Sequence, residues 1–121
     1  ILHRRWNCRW GEIDIIAQRK DNSGTVILIF VEVKTRSTGS WDAGGRMAIA
    51  QQKQVKLSRT AAMFLATFPE KADYPCRFDV AIVCCERKIT NTNSLASFSA
   101  RGLYLTLQEY IPAAFEYLID N

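Results

Sequence analysis

Two short motifs place acidic residues near a lysine in segments that alternate between polar and apolar positions. Glu12 and Asp14 lie two residues apart in the first motif, and Glu32 and Lys34 lie two residues apart in the second. Because alternate residues of a β-strand project from the same face, each pair should stand side by side on its strand. A hairpin that sets Asp14 opposite Glu32 would gather two or three carboxylates beside one ammonium group.

Carboxylates this close repel each other unless one is protonated or a cation binds between them. A hard divalent cation such as Mg²⁺ or Mn²⁺ suits this arrangement, because it takes a few carboxylate oxygens and leaves positions for water and phosphate oxygens. The carboxylates of Glu12, Asp14 and Glu32 are the candidate ligands, and the Val33 carbonyl would be a further one. Such an ion polarises a phosphodiester and lowers the pKa of bound water, while Lys34 would orient that water or stabilise the developing charge. The predicted chemistry is phosphodiester hydrolysis.

The same residues also allow a purely structural interpretation. A Glu-x-Lys segment in a strand is commonly a same-face ion pair, and Glu12 with Asp14 could form a solvated strand edge. Apolar residues lead into Glu32 and follow Asp14, however, which indicates strands inside a sheet, where unpaired charge is costly. Basic residues that could hold a phosphate backbone also follow the second motif. They are Arg36, Arg46, Lys53, Lys56 and Arg59.

The elements that would position these residues follow from hydrophobic periodicity and turn signals. Residues 11–18 and 25–35 are predicted as two strands of a hairpin, with a turn between them. Residues 37–46 are predicted as a loop because they contain three glycines, and residues 47–68 as an amphipathic helix.

The second half of the chain repeats this mixture of strands and helix. Residues 76–85 are predicted as a central strand, 87–102 as a loop, 103–107 as a further strand and 112–119 as a short helix that begins at a proline. The order strand, strand, helix, strand, strand, helix predicts a mixed sheet flanked by helices, of the α/β or α+β class.

Composition excludes several classes of protein. A chain of 121 residues with 48% hydrophobic and 23% charged residues is one globular domain, too short for two and too apolar to be disordered. Its longest apolar run, residues 26–31, is too short to cross a bilayer. The sequence shows no secretory signal, and the four cysteines lack the spacing of a zinc site, so we expect free, buried thiols in the cytoplasm.

Charge is unevenly distributed along the chain. Residues 1–60 contain eleven Lys and Arg against five Asp and Glu, whereas residues 61–121 contain five against seven. The basic half is the candidate face for a polyanion, although charge alone does not separate a nucleic-acid surface from a solvated one.

Two sequence blocks resemble one protein family. WNCRWGEIDIIA at residues 6–17 and FVEVKTR at residues 30–36 are similar to the YraN family of bacterial proteins. The resemblance continues through Lys53-Gln54, CRFDV at residues 76–80 and Ala114-Phe115, so it covers nearly the whole chain.

The resemblance implies a restriction-endonuclease-like fold of the PD-(D/E)XK superfamily, similar to archaeal Holliday junction resolvases. Asp14, Glu32 and Lys34 match the two acidic positions and the lysine of that pattern, and the resemblance implies that the carboxylates of Asp14 and Glu32 hold the metal ion. Lys53 or Gln54 matches a polar helix position that supports the site or a phosphate. Glu12 and Asp79 also match family positions, Glu12 as an added catalytic acid and Asp79 as a supporting or structural acid. Family members begin with a helix before the segment that starts here at Ile1, and that helix is absent from this sequence.

The expected function is therefore that of an endonuclease dependent on Mg²⁺ or Mn²⁺. By analogy its substrate would be branched or damaged DNA in recombination or repair. A homodimer would suit cleavage of two strands, although the sequence does not demand one. The predicted nucleic-acid contacts are Arg36, Arg46, Lys53, Gln54 and Lys56.

Two other interpretations stay open at this point. The carboxylates could serve only as a structural charge cluster in a nucleic-acid-binding module without catalysis. Alternatively, Trp6, Trp10 and Trp41 could mark a protein interface, although they could as easily stack on bases or pack in the core.

Overall fold

Six strands form one sheet in the computed structural model, which describes residues 1–37, 49–86, 96–100 and 102–116. The elements are β1 (His3–Cys8), β2 (Gly11–Lys20), β3 (Val26–Ser37), α1 (Gln51–Thr67), a 3₁₀ turn (Pro69–Lys71), β4 (Cys76–Glu86), β5 (Ala96–Ala100) and β6 (Leu103–Phe115).

The sheet is mixed, with strand order β1-β2-β3-β4-β6-β5. β3 and β4 run parallel, and the other neighbouring strands run antiparallel. A parallel pair needs a crossover connection, and α1 lies within the segment that joins β3 to β4. This arrangement confirms the predicted α/β, restriction-endonuclease-like fold class.

The main core lies between α1 and one face of the sheet. Leu57, Ala61 and Phe64 are buried at the helical spacing that the sequence predicts. The Phe64 ring meets the Phe30 ring from β3 at 5.9 Å and the Trp6 ring from β1 at 5.3 Å. Trp6 therefore packs against the core, which is one of the predicted alternatives for the tryptophans, whereas Trp41 lies outside the described residues.

The end of α1 and the second face of the sheet follow from local sequence. The helix ends just before Phe68 because that residue precedes Pro69, which disfavours a helical conformation in the residue before it. On the face away from α1, Ile29, Val31 and Ala81 form a smaller buried cluster. β3 thus buries apolar side chains on both faces, which explains its nearly continuous apolar sequence.

Several predicted elements differ from the observed ones. β1 was not predicted, β5 lies inside the predicted loop at 87–102, and β6 continues through Pro112, where a helix was predicted. Parts of three predicted elements lie outside the described residues: 87–95 and 101 of that loop, 38–46 of the predicted loop at 37–46, and 117–119 of the predicted helix.

Two further predictions concern the cysteines and the absence of a membrane-spanning segment. All four cysteines fall within the described segments and are unpaired, but Cys76 is exposed and the other three are half-buried, so their predicted burial is wrong. No helix in the described segments combines the length and apolarity that a membrane span needs. The cytoplasmic location stays a prediction.

Candidate active site

The candidate site lies where β2 and β3 stop pairing through their backbones. The regular pairing runs as far as Ile15 and Val31. Beyond that point a side chain replaces the backbone, because Oδ2 of Asp14 accepts a hydrogen bond of 2.8 Å from the Val33 N–H. This bond holds the Asp14 carboxylate between the two strands.

β2 is irregular at Asp14. Ile13 and Ile16 are buried in the same core cluster, although residues three apart point to opposite faces of an undistorted strand. On β1, the pairs Arg4–Ile15 and Trp6–Ile13 leave Arg5 facing Asp14, and Arg5 has a left-handed backbone with φ of 54°. The irregularity releases Asp14 from strict alternation, so that its side chain reaches β3.

Glu32 is the buried acid of this site, with only 9% of the residue exposed. Burial, a hydrogen bond with Asp14 and the negative charge of Asp14 raise the pKa of Glu32 to about 7. Lys53 Nζ lies 3.5 Å from Oε2 of Glu32. Among the described residues, that oxygen is nevertheless buried without a hydrogen-bond partner. A buried carboxylate oxygen in this state is a natural position for a cation.

Lys34 and Val33 complete the group. Lys34 lies two residues beyond Glu32 on β3. The positive charges of Lys53 and Lys34 partly offset the rise in the pKa of Glu32. The N–H and C=O of a strand residue point toward the same neighbouring strand. Since the Val33 N–H points at Asp14, the Val33 carbonyl also faces the β2 side. The structure therefore brings Asp14, Glu32, Val33 and Lys34 together.

The donor set is small. No group of three or more His, Cys, Asp or Glu side chains that could hold a metal ion occurs among the residues the structure describes. Mg²⁺ in proteins often takes only one or two carboxylates and keeps several waters. Two carboxylates and one carbonyl therefore fit Mg²⁺ or Mn²⁺.

The residues predicted to hold phosphates lie on β3 and α1 where the structure describes them. Lys53, in the first turn of α1, reaches Glu32, and Lys56 is exposed one turn later. Arg36 is half-buried near the end of β3, and Arg46 lies outside the described residues. Gln54 has a structural contact: its amide donates a hydrogen bond of 2.8 Å to the carbonyl of Ile49, just before the helix.

Comparison with known proteins identifies the family that shares this sequence. A family model described as "Uncharacterised protein family UPF0102" matches residues 1–83, which include β1, β2, β3 and α1. The chain belongs to the UPF0102 family. The predicted resemblance to the YraN family is thereby confirmed, and this family is part of the PD-(D/E)XK-like nuclease superfamily.

Cyanobacterial UPF0102 proteins align over almost the entire chain. The protein of Trichormus variabilis is 56% identical over 127 residues, with 99% of this chain and 84% of the relative covered. The protein of Nostoc sp. is 58% identical over 120 residues, covering 98% of this chain and 82% of the relative. That of Trichodesmium erythraeum is 42% identical, covering 99% of this chain and 80% of the relative.

Two further predicted acids of this UPF0102 chain have other contacts. Glu12 forms an exposed ion pair with Arg5, with 3.5 Å between Arg5 Nε and Glu12 Oε1. Asp79 is fully buried and accepts two hydrogen bonds from Arg77, one from the Tyr110 hydroxyl and one from the Ala113 N–H. These bonds, Arg77 foremost, outweigh burial and lower the pKa of Asp79. Asp79 therefore ties β4 to β6.

Sequence reasoning missed some of the residues that these contacts involve. Arg77, two residues before Asp79, could have been found from the same-face spacing that identified Glu32 and Lys34. Tyr110 meets Asp79 only through the fold. Arg59 was predicted as a residue that could hold a phosphate, but its contact with Trp10, which is 49 positions earlier in the sequence, was not predicted. No local signal indicates such contacts.

Proposed function

We propose that this UPF0102 chain is a metal-dependent nuclease domain that hydrolyses phosphodiester bonds of DNA. The observation that carries the proposal is the buried Glu32 carboxylate, held against Asp14, with one oxygen that finds no hydrogen-bond partner in the part of the chain that the structure describes. Two acids in contact need a shared proton or a cation. By family analogy, the substrate would be branched or damaged DNA in recombination or repair.

The chemistry of the donors fits Mg²⁺ or Mn²⁺. Asp14, Glu32 and the Val33 carbonyl would hold the ion. When bound, it would polarise the scissile phosphate and favour ionisation of an attacking water. Lys34, beside Glu32 on β3, would orient that water or stabilise negative charge on the phosphate. Once the metal ion replaces Lys53 as the partner of Glu32, the Lys53 ammonium group would be able to donate a hydrogen bond to a phosphate oxygen.

The surface next to these acids suits a phosphate backbone. Lys53, Lys56 and Arg59 follow one another at intervals of three residues on α1, so they rise along the helix from the acids. Phosphate contacts by lysine and arginine provide most of the sequence-independent affinity for DNA. A strand laid along α1 would thus pass the acids and the three cations together.

A non-catalytic nucleic-acid-binding module is the second candidate. The 3.5 Å contact between Lys53 and Glu32 favours it, because an ammonium group can balance the buried charge without any metal. The same cations on α1 would then bind phosphates, and Asp14 and Glu32 would only stabilise the sheet. Metal affinity separates the two candidates.

Calorimetric titration of Mn²⁺ into the purified protein tests the proposal without requiring the correct substrate. We expect saturable binding that Glu32→Gln abolishes and that Glu70→Gln, an exposed acid in the 3₁₀ turn, preserves. Cleavage of branched DNA should then be lost in Glu32→Ala and Lys34→Ala, with DNA binding largely retained. Absence of Mn²⁺ binding by the folded wild-type protein would favour the non-catalytic module.

A further inference from the structure

An exposed tryptophan in the turn that joins β1 to β2 has two arginines close to its ring. Trp10 retains 38% of its surface exposed to solvent. The Arg9 Cζ lies 4.8 Å from the centroid of its ring and the Arg59 Cζ lies 5.1 Å from it. We call these three residues the stacking platform: Arg9, Trp10 and Arg59.

The turn that bears Trp10 is anchored at both ends. Cys8 and Gly11 pair directly, so Arg9 and Trp10 form a two-residue turn, and the Trp10 N–H donates a hydrogen bond of 3.4 Å to the Cys8 sulfur. Gly11 has φ of 151°, and a Cβ there would lie only 3.3 Å from the Thr60 hydroxyl. The glycine thus permits close contact between the turn and α1, which fixes the platform relative to the helix.

The platform and the carboxylate pair are separated by a short distance along two elements. From Lys53 to Thr60, seven residues of helix rise about 10 Å at ~1.5 Å per residue. From Trp10 to Asp14, four residues of strand span about 13 Å at ~3.3 Å per residue. Both lengths correspond to about three to four nucleotides, at the ~3.4 Å rise per nucleotide that one strand has in duplex DNA.

An exposed indole flanked by guanidinium groups matches the chemistry of a nucleotide. Bases stack on aromatic rings and on arginine planes, and the cations attract the phosphates beside them. A base inside a duplex has both faces covered by its neighbours, so an unpaired base is the planar group that can reach the platform. The two positive charges disfavour an apolar protein surface as the occupant.

We propose that the stacking platform binds an unpaired base of a nucleic acid, three to four nucleotides from the carboxylate pair. The proposal rests on the proposed function, because it specifies that the substrate carries a single-stranded segment next to the site of cleavage. Trp10 would then be a specificity residue that selects substrates with a single-stranded segment.

Fluorescence anisotropy with labelled oligonucleotides tests this proposal in EDTA, so that neither metal nor cleavage contributes. Wild-type protein should bind a duplex with a single-stranded oligo(dT) tail more tightly than the blunt duplex. Trp10→Ala should weaken binding of the tailed duplex by about five- to 150-fold, the range that stacking of one base supports. Binding of the blunt duplex should be unchanged. Trp10→Phe should stay close to wild type, and Leu103→Ala, an exposed apolar residue on β6, should have no effect.

Equal binding of the tailed duplex by wild type and Trp10→Ala would overturn the proposal, as would an equal loss on both DNAs or no nucleic-acid binding at all. If Trp10→Ala fails to fold, intrinsic fluorescence decides: oligo(dT) should quench the wild-type emission, and that quenching should be absent from Trp10→Phe. The Mn²⁺ titration fails or succeeds independently. If Trp10→Ala loses affinity only for the tailed duplex and the protein does not bind Mn²⁺, the platform proposal holds for a non-catalytic module. If the protein binds Mn²⁺ but does not prefer the tailed duplex, only the platform proposal is overturned.

Discussion

Glu32 makes the stability of the metal-free protein depend on pH. Its pKa rises from an ordinary value of 4.5 to about 7, so between these values the folded state binds more protons than the unfolded chain. The free energy of unfolding should therefore fall as the pH rises through this window. Glu32→Gln removes the buried charge, so at about pH 8 we expect the variant to be more stable than wild type by about 1–3 kcal/mol. At about pH 5 the two should be nearly equal.

Urea unfolding of the metal-free proteins at both pH values measures this difference. Glu70→Gln is the matched control, since it removes an exposed carboxylate on the 3₁₀ turn. A wild-type protein that is more stable than Glu32→Gln at the higher pH would show that Lys53 fully satisfies the ionised carboxylate, contrary to the expectation.

The same proton should compete with a metal ion. A ligand carboxylate must be deprotonated to bind, so affinity for Mn²⁺ should fall about tenfold per pH unit below about 7 and level off above it. Calorimetry in buffers of different ionisation enthalpy counts the protons released. About one proton should leave per ion at about pH 6, and almost none at about pH 8.5. Affinity that is flat across this range would exclude Glu32 as the titrating ligand.

The elements that sequence predicts best are those with a clear period. β2, β3 and β4 are rich in β-branched and apolar residues, and the apolar stripe of α1 repeats at helical spacing. β1 lacks such a period because its sequence is mostly polar. It is an edge strand in which three residues are half-buried, His3, Trp6 and Cys8, and the other three are exposed. β5 is the opposite edge and consists of small residues and one phenylalanine, which resembles a loop.

The end of β6 was mistaken for a helix because Pro112 is acceptable in a first helical turn. Instead, Ala113 adopts φ of 50°, and its N–H is bonded to the buried Asp79 carboxylate on β4. The pairing between β4 and β6 shifts register at this point, between Phe78 and Val80. A contact across 34 residues therefore decides the local conformation, and no window of sequence contains both partners.

Asp79 should consequently stabilise the strand pair without affecting the metal site. Asp79→Asn removes a buried charge from its bidentate contact with Arg77, and we expect a loss of about 3–5 kcal/mol in urea unfolding. Burial and Asp79 raise the pKa of Tyr110 to about 12, so that pKa should fall in the variant. Hydrogen exchange at the Ala113 amide should accelerate. Asp73→Asn, at an exposed position, should change none of these, and unaltered stability of Asp79→Asn would contradict the structural role.

At the scale of the whole molecule, the candidate site was predictable where its residues share one hairpin. Strand register places Asp14 opposite Glu32, and alternation places Lys34 beside Glu32 on β3. Lys53 was indicated by the resemblance to the YraN family. Glu12 was misplaced because the irregularity at Asp14 breaks the alternation on which that prediction depended. The stacking platform was not predictable, since a turn and a helix meet there only through the packing of Gly11 on Thr60.

The basic half of the sequence becomes a directional surface in the fold. Lys53 and Lys56 lie on the side of α1 that leads from the acids to the stacking platform, whereas Lys20 ends β2 on the far side of Asp14. Each phosphate contact adds about 0.7 (single strand) to 0.9 (duplex) to the slope of log K against log salt concentration. Lys56→Ala should reduce that slope by about this amount and weaken DNA binding uniformly across sequences, while Lys20→Ala, which removes the same charge, should leave the slope unchanged. Anisotropy titrations over a salt series compare the two variants. Equal reductions would mean that net charge, rather than a surface along α1, attracts the nucleic acid.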